Sequence, residues 1–121
     1  MPSQETVRKF VDVVVSGRHD EAIELFYAED ASMQENLGEL RRGRDGLVER
    51  ERQVMGMFKE IRTTCVEPFF IEGDRVAINW IFEFVQADGK TSKINEVAIQ
   101  EWRGDKIVRE RFYYDPGQMA A

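Results

Sequence analysis

The hydrophobic period of this chain changes near Ile61, and that change constrains the fold more than any other feature. Before it, apolar residues recur at helical spacing; after it, runs rich in β-branched and aromatic residues alternate at period two. Residues 62–72, 75–86, 91–103 and 106–114 read as strands. Gly73-Asp74, Asp88-Gly89 and Gly104-Asp105 separate them as tight turns. Upstream, Ser3 is placed to cap a helix that carries Val7, Phe10, Val11 and Val14 and stops at Gly17. A short second helix starts near Asp20, with Ala22, Ile23 and Phe26 on one side. A third spans about residues 45 to 61; Leu47, Val54, Phe58 and Ile61 form its apolar stripe, and Glu49-Arg50-Glu51-Arg52 face water. Helices followed by a strand meander predict an α+β fold: three N-terminal helices packed on the concave face of one strongly curved, four-stranded antiparallel sheet. The stretch 30–38 is read as the connection between the two halves.

At 121 residues the chain fits a single domain, residues 1–121, with a sizeable core. A net charge of −6 argues against a nucleic-acid partner, which requires a basic face to displace counterions from phosphates. The basic cluster Arg41-Arg42-Gly43-Arg44 reads as a solvated loop. No window approaches the roughly 20 apolar residues that span a bilayer, so no membrane partner is expected. Val13-Val14-Val15 is also too short for the apolar core of a signal peptide. The single cysteine, Cys65, allows no internal disulfide, and a cytoplasmic protein is expected. His19 has no second histidine to join it, and nothing shows metal-ligand spacing; neither metal nor cofactor is expected.

Alternation sorts the strand side chains onto two faces. Trp80, Phe82 and Phe84 share one with Ile78. If the last hairpin closes through Arg103-Gly104-Asp105, Trp102 pairs with Lys106, Ala98 with Glu110 and Glu96 with Phe112. Its inner face then collects Glu96, Ala98, Gln100, Trp102, Val108, Glu110, Phe112 and Tyr114. Two glutamates and a glutamine do not belong in a dry core. Either this face lines a solvated cavity or the register is displaced by one; the cavity is the preferred reading. The opposite face, with Ile81, Val85, Val97, Ile99 and Tyr113, is apolar enough to predict a homodimer joined through the outer sheet faces.

Phe10 to Gly17, Leu25-Phe26, Asp30-Ala31-Ser32, the helix start Gly43-Arg44-Asp45-Gly46-Leu47 and the hairpin from Gly104-Asp105 to Tyr114-Asp115 occur in a telling order. Together they resemble the nuclear transport factor 2-like superfamily, a cystatin-like cone with an internal pocket, and within it the SnoaL-like and ketosteroid isomerase-like branch. The resemblance implies a carboxylate that moves protons at Glu35. In ketosteroid isomerase the oxyanion is held by a tyrosine, which falls here on Phe10, and by a protonated aspartate, which falls on Ala98. Losing one such donor costs about a hundredfold or more in rate, so the resemblance does not extend to steroid isomerisation. The Asp–Arg–Asp group of limonene epoxide hydrolase falls on Phe82, Trp80 and Phe112, which excludes that chemistry. SnoaL-like cyclases ask only for an acid–base carboxylate in a hydrophobic chamber, as Glu35 with Trp80, Phe82 and Phe112 would supply.

Two functions stay open. One is a small isomerase, cyclase or dehydratase with Glu35 as general base and Glu110, Tyr114 or Gln100 as donors to the developing oxyanion. Its small hydrophobic substrate would contact Phe10, Val14, Phe26, Trp80, Phe82, Glu96 and Phe112. The other is a non-catalytic module of the same fold that binds a small molecule or another subunit, with Glu35 a loop carboxylate in water. A raised pKa at Glu35 would favour the enzyme.

Overall fold

The structure is a computed structural model that describes residues 1–119. Helix α1 (Gln4–Val15) begins as the sequence predicts: the Ser3 side chain accepts from the Thr6 backbone N–H, and Val7, Phe10, Val11 and Val14 form its buried stripe. Helix α2 (His19–Phe26) runs directly into strand β1 (Tyr27–Glu35). A two-residue strand, β2 (Arg41–Arg42), precedes helix α3 (Arg44–Gly56). The chain then enters the meander β3 (Glu60–Glu72), β4 (Arg75–Val85), β5 (Thr91–Arg103) and β6 (Lys106–Tyr113), and a 3-10 turn covers Pro116–Met119.

The strands form one sheet in the order β2-β1-β6-β5-β4-β3. The meander has the expected boundaries to within about two residues, and its three junctions are antiparallel. The sheet as a whole corrects the prediction, because it has six strands among the described residues and β1 lies parallel to β6. Residues 30–35 of the stretch expected as a connection thus belong to a structural strand, and only 36–38 turn. The helices also do not precede the sheet together, since α3 follows β1 and β2. Helix α3 stops at Gly56 rather than near Ile61 because Phe58 leaves the helix to pack on Phe84, centroids 4.9 Å apart, and Ile61 already belongs to β3.

The last hairpin closes through two residues, pairing Arg103 with Lys106 and Trp102 with Ile107. A bulge then shifts the register so that Glu101 opposes Arg109, Gln100 opposes Glu110 and Ala98 opposes Phe112. The expected pairs of Trp102 with Lys106, Ala98 with Glu110 and Glu96 with Phe112 are therefore incorrect. The extra residue at Val108 gives Ile107, not Val108, the fully buried place. Beyond the bulge Glu110 still faces inward with Gln100 and Glu96, all three buried.

Helix α1 packs on β3 and α2, α2 on α3, and α3 on β1. The core between helices and sheet joins Phe10, Val11 and Ile23 to Ile78, Trp80, Ala98, Trp102 and Ile107. On the far face, Val66, Asn79, Val97 and Tyr113 form one row across four strands, next to the row Phe70, Ala77, Ile99 and Arg111. Val66 (38%), Phe70 (65%), Val97 (38%) and Tyr113 (43%) are exposed there, whereas Val85, expected among them, is buried.

Candidate functional site

A cavity of about 180 Å³ lies between the helices and the inner face of the sheet. Phe10 and Val14 of α1, Trp80 and Phe82 of β4, and Phe112 of β6 contribute to its wall, with Glu35 and Tyr114 also on the lining. Phe26 does not line it. Helix α2 ends at that residue and its ring stands behind Phe10, edge to face at 5.5 Å, while the next residue, Tyr27, turns inward. Gln100 is also absent from the lining; it is fully buried and borders a second cavity with Glu110, Arg75 and Arg109.

Gln100 belongs to a buried polar chain. Trp102 Nε1 donates to Gln100 Oε1 at 2.9 Å, Gln100 Nε2 donates to Glu110 Oε2 at 2.6 Å, and the Tyr27 hydroxyl donates to Glu110 Oε1. Glu110 is 1% exposed, and burial pushes its carboxyl up to about 7 against the opposing pull of these two hydrogen bonds. Both its oxygens are occupied, so its position is fixed.

Glu96 is different. The residue is only 7% exposed and its backbone carbonyl accepts from Asn79 Nδ2 at 2.9 Å, but its carboxyl, on the cavity lining, has no hydrogen-bond partner or ion pair among the described residues. Burial first, and then the neighbouring Glu110, Glu35 and Glu51, push it up to about 8. Glu51 of α3 is raised to about 7, by burial and then by Glu35 and Asp20. Its Oε2 lies 4.0 Å from His19 Nδ1, while His19 Nε2 shares a 2.8 Å hydrogen bond with Thr63. The imidazole packs edge-on to Phe82, and burial lowers its pKa.

Glu35 ends β1 at an exposed position, and the Tyr114 hydroxyl donates to its Oε2 at 3.3 Å. Asn36 anchors this corner with a backbone φ of 50°. Its N–H donates to the Phe112 carbonyl, its carbonyl accepts from Arg111 Nε, and its side-chain oxygen accepts from the Tyr114 N–H. The turn then closes from Gly38 N–H to the Glu35 carbonyl at 2.8 Å; a Cβ on Gly38 would stand 3.0 Å from that same oxygen.

The sequence reading missed Tyr27, His19 and Glu51. Glu51 carried a legible signal: it lies four residues after Leu47 and three before Val54, on the apolar stripe rather than on the water face. His19 occupies the first turn of α2, four residues before Ile23, instead of a solvated turn. The described residues contain no group of three or more His, Cys, Asp or Glu arranged to hold a metal ion. None of their helices is long and apolar enough to cross a membrane.

Residues 7–110 match the SnoaL-like domain family. The chain belongs to that family. No curated protein matches the sequence. Among solved structures, this SnoaL-like protein is similar to one from Mesorhizobium loti named provisionally as a SnoaL-like polyketide cyclase. The TM-score is 0.75 at 22% identity, covering 91% of this chain and 97% of that one. TerC, co-crystallised with polyporic acid, gives 0.79 at 21% identity, covering 96% and 93%. A Catenulispora acidiphila protein with a ketosteroid isomerase-like fold, in complex with trimethylamine, gives 0.79 at 17%, covering 96% and 89%. At these identities the likeness is one of fold. Within the SnoaL-like frame, Phe10 and Ala98 put no polar group where the isomerase resemblance placed its oxyanion donors, but Glu96 stands two residues before Ala98 on the same strand face.

Proposed function

We propose that the protein is a small proton-transfer enzyme, an isomerase, cyclase or dehydratase acting on a compact substrate with a largely apolar surface, with Glu35 and Glu96 as its acid–base pair. The observation that carries this reading is Glu96, a buried residue whose carboxyl has no protein partner and is reached only from an aromatic-walled cavity. Such a group costs stability, and perturbed carboxyls of this kind cluster at functional sites. Two carboxyls in unlike environments, one wet and one desolvated, divide naturally into base and acid. Glu35 at the mouth takes a proton from a carbon acid. Glu96, still protonated near neutral pH, donates to the oxygen where negative charge develops. Tyr114 orients Glu35, and Tyr27 with Gln100 holds Glu110 beneath. The guests of the two relatives, polyporic acid and trimethylamine, are consistent with a chamber for a small molecule.

The test is solvent-deuterium exchange into a panel of enolisable cyclic ketones and aryl polyketide fragments, followed by NMR. Glu35→Gln and Glu96→Gln should each lower the exchange rate on the best substrate by about a hundredfold or more while its binding stays nearly intact. If both variants turn that substrate over at the parent rate, the acid–base reading fails and a non-catalytic binding module takes its place.

We also propose that the protein is a cytoplasmic homodimer. The unpaired Cys65 motivates the compartment, and the exposed row of Val66, Val97 and Tyr113 beside Phe70 motivates the assembly. Sedimentation at micromolar concentration should give twice the chain mass of 14.1 kDa; the monomer mass would refute it.

A further inference from the structure

Four carboxyls line the cavity, and among the described residues none of them pairs with an arginine or a lysine. Glu35 comes from β1, Glu51 from α3, Glu96 from β5 and Glu110 from β6. Among the described residues, the one basic side chain within 4.0 Å of any of these carboxyls is His19 of α2, at Glu51, and burial favours its neutral form. Arg41 of β2 and Arg50 of α3 line the cavity without pairing to any of the four, and the Tyr27 and Tyr114 hydroxyls have pKa values raised further above neutral. The facing wall is aromatic. Trp80 and Phe82 stack with centroids 5.8 Å apart, Phe84 follows Phe82 at 6.4 Å, and Phe10 meets Trp80 edge-on at 6.4 Å.

Aromatic faces next to carboxylates in a desolvated site attract an organic cation, through the ring quadrupole on one side and opposite charge on the other. Beside a neutral guest Glu51, Glu96 and Glu110 keep protons up to about neutral pH, whereas a cation seated next to them favours their ionised forms. Glu96 is decisive here, because the residue is more than nine-tenths buried, lines the cavity, and has a carboxyl with no partner among the described residues. We propose that the natural guest of this cavity is a compact organic cation, an ammonium bearing apolar substituents, seated against Trp80 and Phe82, with Glu51 and, after it has given up its proton, Glu96 as counter-charges. A protonated tertiary amine would also donate its N–H to Glu96. The inference rests on the reading of the cavity as a substrate chamber and names the class of molecule it takes.

The test compares phenyltrimethylammonium with tert-butylbenzene, a pair that differs in charge at nearly constant shape, by titration of tryptophan fluorescence. At about pH 8 the cation should bind at least about tenfold more tightly than its neutral isostere. The gap should widen from about pH 6 to 9, as Glu51, Glu96 and Glu110 lose their protons. Glu96→Gln and Glu51→Gln should each weaken the cation about fivefold or more while leaving the isostere within about twofold. Should Glu96→Gln not fold, Glu51→Gln carries the comparison. Equal or tighter binding of tert-butylbenzene overturns the inference alone and leaves the chamber standing. A cation preference that survives the carboxyl substitutions overturns it as well, and binding of neither probe removes both the inference and the chamber reading.

Discussion

Glu96→Gln should make the protein more stable in alkali. The substitution keeps the size and shape of the side chain and removes only its ability to ionise. In the parent, burial and the neighbouring carboxylates raise Glu96 from 4.5 to about 8. A folded-state pKa above the unfolded one means that the native state holds the proton longer. Its contribution is therefore fully present below about pH 4.5, is lost as pH rises, and is gone above about pH 8. Across those 3.5 pH units the cost is about 1.4 kcal/mol each, or a ceiling of about 5 kcal/mol at pH 9. Part of the elevation comes from Glu110, Glu35 and Glu51, which can relax, so about 2–4 kcal/mol is the expected gain. Urea denaturation of parent and variant at about pH 5 and pH 9 reads the effect as a double difference, which cancels changes common to both proteins. The variant should match the parent within about 1 kcal/mol at pH 5 and exceed it at pH 9. If its advantage does not grow with pH, Glu96 is not desolvated, and the electrostatic account of the cavity is wrong.

Tyr27→Phe removes a donor from buried Glu110 and should cost about 1–3 kcal/mol, with the larger loss at pH 8 than at pH 5.5, because the missing bond favours the ionised carboxylate. Equal losses at both pH values, by chemical denaturation, would count against that assignment. Asn36→Ala should destabilise by about 1–3 kcal/mol, through loss of the Tyr114 N–H acceptor and the strain of a positive φ, measured by thermal unfolding. Ile78→Ala, at a fully buried site in the centre of β4, should cost about 2–5 kcal/mol with little dependence on pH.

The meander was legible because its signals are local: alternation within each strand and Gly/Asp turns between them. Strand β1 was not. Its burial runs two in, two out, from Tyr27-Ala28 to Glu29-Asp30 to Ala31-Ser32, and its register against β6 shifts between Tyr27 and Ser32. No period-two signal survives such an irregularity, and the strand's partner is far away in sequence. The hairpin error had a similar origin, since a bulge at Val108 changes the pairing without marking the composition. Of the site, Trp80, Phe82, Glu96 and Glu110 could be placed from alternation, and Glu35 from the family resemblance. Glu51 was concealed by its charged neighbours Arg50 and Arg52, and Tyr27 by its position where a helix becomes a strand.

The parallel pairing of β1 with β6 also governs when the cavity can come into being. Tyr27 and Glu110 are separated by 83 positions, and the floor they make together exists only once both ends of the chain have met. A ribosome releases the N-terminal helices and β1 long before it supplies β6, so this strand must wait with an open edge while the meander is made. Closing so distant a pair is entropically slow, which makes the docking of β1 on β6 the natural last event of folding. The site is thus also a checkpoint: a chain that binds its guest has closed a hydrogen bond across 83 positions.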